Sequence, residues 1–387
     1  MSSAHSSHRA QEYWACLALR HADRLGPKTG KKLIQAYGSA REALSMAGSW
    51  TRDSLVRPSV ADIFHQEKWR GSAFQEWDLV RGRQDGVLLY TDPDYPEPLR
   101  QIPDPPLYAY LAGDRSLLGN PCVAIVGART CSSYGRAMAR NIAAGLGQAG
   151  VTVVSGFAMG IDRQAHFGAL SHPGRSIAVL GTGLDMIYPP QNNDLWQQLH
   201  QQGLILTEFA PGNEPEAHNF PKRNRIISGL SMGVVVVEAA RKSGSLITAR
   251  LALEHNREVL AVPGQATTPS FAGCLELLRQ GAVLTRSAQD VLEELAPQLA
   301  TGHDPSPARP SAPARPGPAG PNASSGLEHL DPEERDLARL LGNDAQVHID
   351  TLTRQLGWES HKVSQILLML ELKGVVRQQN GMYYALA

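Results

Sequence analysis

Residues 122–136 read CVAIVGARTCSSYGR: a five-residue apolar run, a glycine, a short polar loop and the start of a helical pattern. A run that is continuously apolar and rich in β-branched side chains suits a strand covered by helices on both faces, because neither face alternates toward water. The same grammar recurs downstream in VTVVSGF (151–157), SIAVLGT (176–182), GLILTEF (203–209), MGVVVVEA (232–239), EVLAVPG (258–264) and AVLTR (282–286). The stretches between these runs have lengths suited to βαβ crossovers, so the chain from about 120 to 300 is expected to form an α/β, doubly wound, mostly parallel sheet.

Working outward, the first eighty or so residues lack strand-like runs and show helical spacing in YWACLALRHA (13–22) and KKLIQAYGSAREALSMA (31–47). Between them LGPKTGKKL (25–33) is not a P-loop: three residues separate Gly26 from Gly30, and Lys32 stands where Ser or Thr should bind magnesium. It reads instead as the hairpin of a helix-hairpin-helix unit. Residues 301–326 carry seven prolines and no large apolar side chain, the composition of a linker. Residues 327–387 offer helices in PEERDLARLL, IDTLTRQLG and SHKVSQILLMLELKG and two short strands around Asn380-Gly381, the pattern of a winged helix. Its third helix sets Lys362 and Lys373 against Glu359 and Glu371, poor electrostatics for a groove reader, which favours an accessory or protein-contact role. The expected division is therefore a helical domain at 1–88, an α/β domain at 89–300, the linker, and the winged helix.

Composition narrows the partner. With 37 cationic and 37 acidic side chains the formal charge is zero, so a polyanion must be met by a local patch rather than a cationic coat. The longest apolar runs fall far short of a membrane span and the start, MSSAHSSHRAQ, lacks a signal-peptide core, so a cytoplasmic protein with no membrane association is expected. Cys16, Cys122, Cys131 and Cys274 have no metal-ligand spacing, and neither metal nor cofactor is expected.

In open α/β sheets ligands bind beyond the carboxyl ends of the strands, at the switch in strand order. The first strand ends in a loop with Gly127 and Arg129, followed by Ser132 or Ser133 as a helix cap. G-x-G-x-x-G is absent and the second strand ends in Ser155-Gly156 rather than an acid, which argues against a dinucleotide. FPKRNR (220–225) follows the strand ending in Glu208, Lys242 follows the strand ending in Glu238, and Ser243 or Ser245 can cap the next helix. Arg129, Lys222, Arg223, Arg225 and Lys242 are thus expected on one rim, with Phe220 as a platform for a base and Asn224 between the cations, a recipe for single-stranded nucleic acid. The bland alternative is an exposed helix start with Phe220 as a hydrophobic staple. Asp162 and His166, four apart, can form an acid-base pair, or a cap and a buried hydrogen bond; the second reading is preferred because no nucleophile or metal cluster accompanies them. Glu208 and Glu238 can hold a ribose or anchor the cations of FPKRNR, and anchoring is preferred.

In chain order, YPEPLRQIPDPPLYAYLAGD (95–114), VAIVGART with SSYG (123–135), VVSGFAMGIDRQAH (153–166), IAVLGTGLDMIYPPQN (177–192), FPKRNRIISGLS (220–231), VVVVEA with KSGSLITA (234–249) and EVLAVPG (258–264) resemble the bacterial DNA-processing family DprA/Smf. The resemblance spans about 90–290, and the helical N-terminus and winged-helix C-terminus fit the fuller family architecture: a sterile-alpha-motif-like domain, an extended Rossmann domain and a winged helix. It implies a homodimer that binds incoming single-stranded DNA during natural transformation, protects it and loads RecA onto it, without catalysis. It places the DNA pocket on Gly127, Arg129, Phe220, Lys222, Arg223, Asn224, Arg225 and Lys242. No short motif marks the RecA or dimer contacts. Lys222 stands where Arg is common, Phe157 where Leu is usual and Leu275 where a polar residue is frequent. The alternative is a nucleotide-binding or nucleotide-hydrolysing Rossmann enzyme of the lysine-decarboxylase-like group, whose PGGxGTxxE motif has only a faint echo in VPGQATTP (262–269).

Overall fold

The computed structural model describes residues 2–81, 86–301, 331–341, 347–358, 360–372, 375–379 and 383–386. The chain divides into two compact units, 1–305 and 306–387. In the first, nine strands form one sheet: β1 (Val87–Leu89), β2 (Tyr108–Gly113), β3 (Cys122–Val126), β4 (Thr152–Ser155), β5 (Ser176–Val179), β6 (Leu204–Thr207), β7 (Gly233–Val236), β8 (Glu258–Ala261) and β9 (Val283–Leu284). Their order is β1-β2-β6-β5-β4-β3-β7-β8-β9. All seven runs expected as strands are β3 to β9, and they pair in parallel. β1 and β2 join antiparallel at the β6 edge and were not read from the sequence. β1 is only three residues long, and β2 follows the proline-broken stretch IPDPP, so neither stands out from its flanks.

Alternate residues of one strand enter different cores, as coverage on both faces requires. Val123 and Ile125 of β3 pack with Ile142 and Leu146 of the helix Ser133–Gln148, whereas Ala124 and Val126 pack with Ile226 and Ile227 of the helix Asn219–Leu230. The second of these cores also contains Tyr13, Leu33 and Trp50 from the N-terminal helices together with Tyr108 of β2. Residues before and after position 88 therefore share one core, and the change there is one of secondary structure rather than of packing unit. A buried polar cluster reinforces the junction: Glu76 accepts from the hydroxyls of Tyr108 (2.6 Å) and Tyr110 (2.5 Å) and meets His21 Nε2 at 2.7 Å.

The helix-hairpin-helix expectation is corrected in detail. The turn lies at residues 22–25 with Arg24 at φ 63°, and GPKTGKK is already the first two turns of the helix Gly26–Tyr37. Lys31 and Lys32 donate to the carbonyls of Ile102 and Ser54, so this segment is a packed helix start and not a phosphate cradle.

In the second unit, helices Pro332–Leu341, Ile349–Leu356 and Ser360–Leu372 surround a core that includes Leu337, Leu352, Leu367 and Val376. Three strands, β10 (Val347–His348), β11 (Val376–Gln379) and β12 (Tyr383–Leu386), form a sheet in the order β10-β12-β11, a winged-helix arrangement. β10 escaped the sequence reading because it is two residues long. The Asn380-Gly381 turn, Lys373, Glu359 and the linker from residue 302 lie outside the described residues. No helix among the described residues is long and apolar enough to cross a membrane.

Candidate nucleic-acid interface

The chain leaves β3 toward β4 on one side and later returns to place β7 on the other, so the switch in strand order falls between β3 and β7. A cavity of about 480 Å³ opens there, beyond the carboxyl ends of the strands, as the fold rule requires. Gly127 and Arg129 line it from the loop after β3, Phe220, Arg223 and Asn224 from the helix before β7, and Ser243 to Ser245 from the loop after β7. Of the eight residues expected in the pocket, five line this cavity. Lys222 and Lys242 are exposed but outside its lining, and Arg225 is turned elsewhere.

FPKRNR lies in the first half of the helix Asn219–Leu230. Successive side chains on a helix are about 100° apart, so its cations diverge. Lys222 is exposed, whereas Arg223 is 4% and Arg225 8% exposed. Arg225 Nη2 donates to both oxygens of buried Glu208, each at 2.7 Å, and its Nε lies 3.4 Å from Asp104. Arg20, from the first helix of the chain, reaches the same Glu208 at 3.0 Å. Burial pushes the Glu208 carboxyl up, but Arg225 and Arg20 outweigh it and hold the group below the usual range. Glu208 is thus the anchor that the sequence suggested. Glu238 is not: it accepts from Ser132 N (3.0 Å) and Ser132 Oγ (2.8 Å), fixing the loop after β3.

Arg223 forms the cavity floor. Its Nη1 donates to the carbonyls of Gly156 (2.7 Å) and Val179, at the ends of β4 and β5. Burial and the nearby Arg129, opposed by Asp162, lower it to about 10. Asp162 accepts from the amides of Gly156 (3.1 Å) and Ala158 (3.4 Å); burial raises its carboxyl, with Arg223 opposing. His166 Nδ1 meets Ser176 Oγ at 2.7 Å, and burial together with Arg223 lowers the imidazole to about 3, so it is neutral. Asp162 and His166 are therefore a loop clamp and a core hydrogen bond.

Arg129 and Phe220 remain at the rim. The Arg129 guanidinium lies 5.4 Å from the centroid of the half-buried Phe220 ring, which also faces Tyr188 at 5.8 Å. Glycines at the strand ends make room for the protein's own groups. A Cβ on Gly181 would lie 2.8 Å from the Phe220 ring, one on Gly264 would lie 2.1 Å from Phe271, and one on Gly156 would lie 2.6 Å from Asp162. Gly127 likewise admits Ile161. Ser132 caps the helix Ser133–Gln148 by accepting from Gly135 N, while the helix Ser245–Glu254 has no side-chain cap. Tyr188 and Ser243 to Ser245 were not assigned to the pocket from the sequence. Tyr188 carries no charge and lies in a proline-flanked loop, so nothing in its local pattern places it opposite Phe220.

Comparison with known proteins places this architecture. Residues 86–296 match the family described as DNA recombination-mediator protein A, and residues 307–382 match the DprA winged helix domain. The protein Smf of Synechocystis sp. is 36% identical over 405 residues, covering 97% of this chain and 98% of its own. The DNA processing protein DprA of Streptococcus pneumoniae is 44% identical over 203 residues, covering 52% of this chain and 72% of its own. An X-ray structure of the pneumococcal protein aligns with a TM-score of 0.64 at 35% identity, covering 73% of this chain and 97% of that one. With the family's sheet domain and its winged helix both present in sequence and the switch-point cavity formed as the fold demands, the chain belongs to the DprA/Smf family of DNA-processing proteins.

Proposed function

We propose that this chain is a non-enzymatic recombination mediator that grips single-stranded DNA at the switch-point cavity and, as a homodimer, protects it and delivers it to RecA during natural transformation. The observation that carries the reading is the Arg129–Phe220 pair at the cavity mouth: an exposed cation for a phosphate beside an aromatic face for a base. The helix that carries Phe220 is fixed beneath them by Arg223 and Arg225, whose guanidinium groups are engaged with protein acceptors rather than presented to solvent. Of the five cations expected to hold phosphate, Arg129, Lys222 and Lys242 remain exposed. If each neutralises one phosphate, log affinity falls with log salt at a slope of about −0.7 × 3, roughly −2.

Hydrolysis of nucleotides has less support. Glu238, its best candidate acid, is engaged with Ser132, and among the described residues no group of three His, Cys, Asp or Glu could hold a metal. The test is fluorescence anisotropy of labelled single-stranded and duplex oligonucleotides against the wild type, Arg129→Ala and Phe220→Ala across a salt series. Preferential single-strand binding that both substitutions weaken supports the reading; wild-type binding by both variants sinks it. Stimulation of RecA filament formation on the bound strand is the following assay.

A further inference from the structure

The segment after β3 that supplies Gly127 and Arg129 to the first cavity also contributes to a second one. This one, about 560 Å³, is lined by Ser132 and Tyr134 from the end of that loop and the start of the next helix, by Pro263, Gly264 and Gln265 after β8, and by Thr268 and Phe271. Its volume lies within the range of small-molecule pockets, about 300–1,000 Å³. Tyr134, in the first turn of the helix Ser133–Gln148, is 45% exposed. The ring is nevertheless held in place. Its hydroxyl donates to the Pro263 carbonyl at 3.1 Å, and its centroid is 5.8 Å from buried Phe271, which itself fills the space left by Gly264. Below it, Ser132 is pinned by Glu238, and Arg136 Nη1 donates to the Cys131 carbonyl at 2.8 Å, so the loop end is fixed before any ligand arrives.

An exposed but oriented aromatic face costs little further ordering when a base stacks on it. Thr268 and Gln265 supply a hydroxyl and an amide at the cavity edge, able to meet a base edge, and no lysine or arginine lines this cavity. That division of chemistry differs from the first cavity, where Arg129 stands ready for phosphate. β3, β7 and β8 are neighbours in the sheet, and the two cavities are lined by segments that follow the carboxyl ends of these strands, so both lie along one rim.

We propose that the Tyr134 cavity is a second, charge-free subsite that stacks a base of the same strand held at Arg129, extending the track along the rim from β3 to β8. The proposal rests on the single-strand reading of the first cavity. It is tested with full-length protein by anisotropy on an oligothymidylate and on an abasic strand of the same length. Tyr134→Ala is expected to weaken the oligothymidylate about 5- to 150-fold, the fold-change equivalent to one stacked base, with the salt slope unchanged and the abasic strand unaffected. Tyr134→Phe, which keeps the ring and loses only the Pro263 hydrogen bond, should bind within about two-fold of wild type. Wild-type affinity in Tyr134→Ala, or equal weakening on the abasic strand, overturns the second subsite. Arg129→Ala separates the two ideas. If it loses binding while Tyr134→Ala does not, the first cavity stands and the second subsite falls; if Tyr134→Ala alone loses binding, the grip at Arg129 falls and with it the shared track proposed here.

Discussion

Arg225→Ala removes one side of a buried ion pair and leaves the other in place. Both oxygens of Glu208 lose a 2.7 Å donor, and Asp104 loses its contact, while Glu208 stays only 4% exposed. Breaking a buried pair by deleting one partner costs about 3–5 kcal/mol, because the remaining charge is uncompensated. Arg20 still reaches Glu208 at 3.0 Å, so the loss should fall near the lower bound, about 3 kcal/mol. Urea unfolding followed by tryptophan fluorescence reports the right unit, since Trp14, Trp50, Trp69, Trp77 and Trp196 lie in the first unit and only Trp358 in the second.

The sign of the pH dependence follows from Glu208. Its folded carboxyl titrates below the ordinary value, so its contribution is fully present above the unfolded value of 4.5 and is lost as pH falls through the folded one. The Arg225→Ala penalty should therefore shrink as the pH is taken below about 4.5, where Glu208 becomes protonated. Adding Glu208→Gln to Arg225→Ala should be less costly than Glu208→Gln alone, since the orphaned charge goes with it. A loss below about 1 kcal/mol at pH 7, with no pH dependence, would refute a buried structural pair and return Arg225 to the phosphate grip. A DNA-binding defect in an Arg225 variant is informative only after its folded fraction has been measured.

Arg129→Ala touches no buried partner, so its stability should stay within about 0.5 kcal/mol of wild type while the single-strand salt slope loses about 0.7, read by the same anisotropy series. Gly181→Ala pushes a methyl group to 2.8 Å from the Phe220 ring; displacement of that ring should weaken binding on the order of 1–3 kcal/mol, the loss expected of Phe220→Ala. Gly160→Ala combines φ 79° with a Cβ 2.3 Å from the Ala128 carbonyl and 2.4 Å from that of Arg129, so thermal unfolding should show a loss on the order of 1–3 kcal/mol or more. His166, lowered to about 3, should show no ring titration by NMR between pH 5 and 8. Because the unfolded histidine binds its proton near 6.5 and the folded one does not, stability should rise with pH from about 3 to 6.5 and level off above.

The sequence by itself determined the sheet and where its ligand edge lies. Continuous β-branched runs have no alternative placement than strands covered on both faces, and right-handed crossovers between them bring their carboxyl ends to one rim. Gly127, Arg129, Phe220 and Asn224 follow from that logic, because a residue just past a strand end, or on the helix packed at that end, is placed by topology alone. What topology does not fix is the direction of a long side chain on a helix with neighbours on two sides. The helix Asn219–Leu230 lies between the sheet and the segment 97–102, so close to the latter that a Cβ on Gly229 would lie 2.8 Å from Leu99. Lys222 faces water, Arg223 turns toward the ends of β4 and β5, and Arg225 toward Glu208 and Arg20, a residue almost two hundred positions earlier than its partner. Three cations in six residues look alike in a linear reading. Only the packed helix, which leaves one of them in solvent and surrounds two with carbonyls and carboxylates, decided which can meet a phosphate.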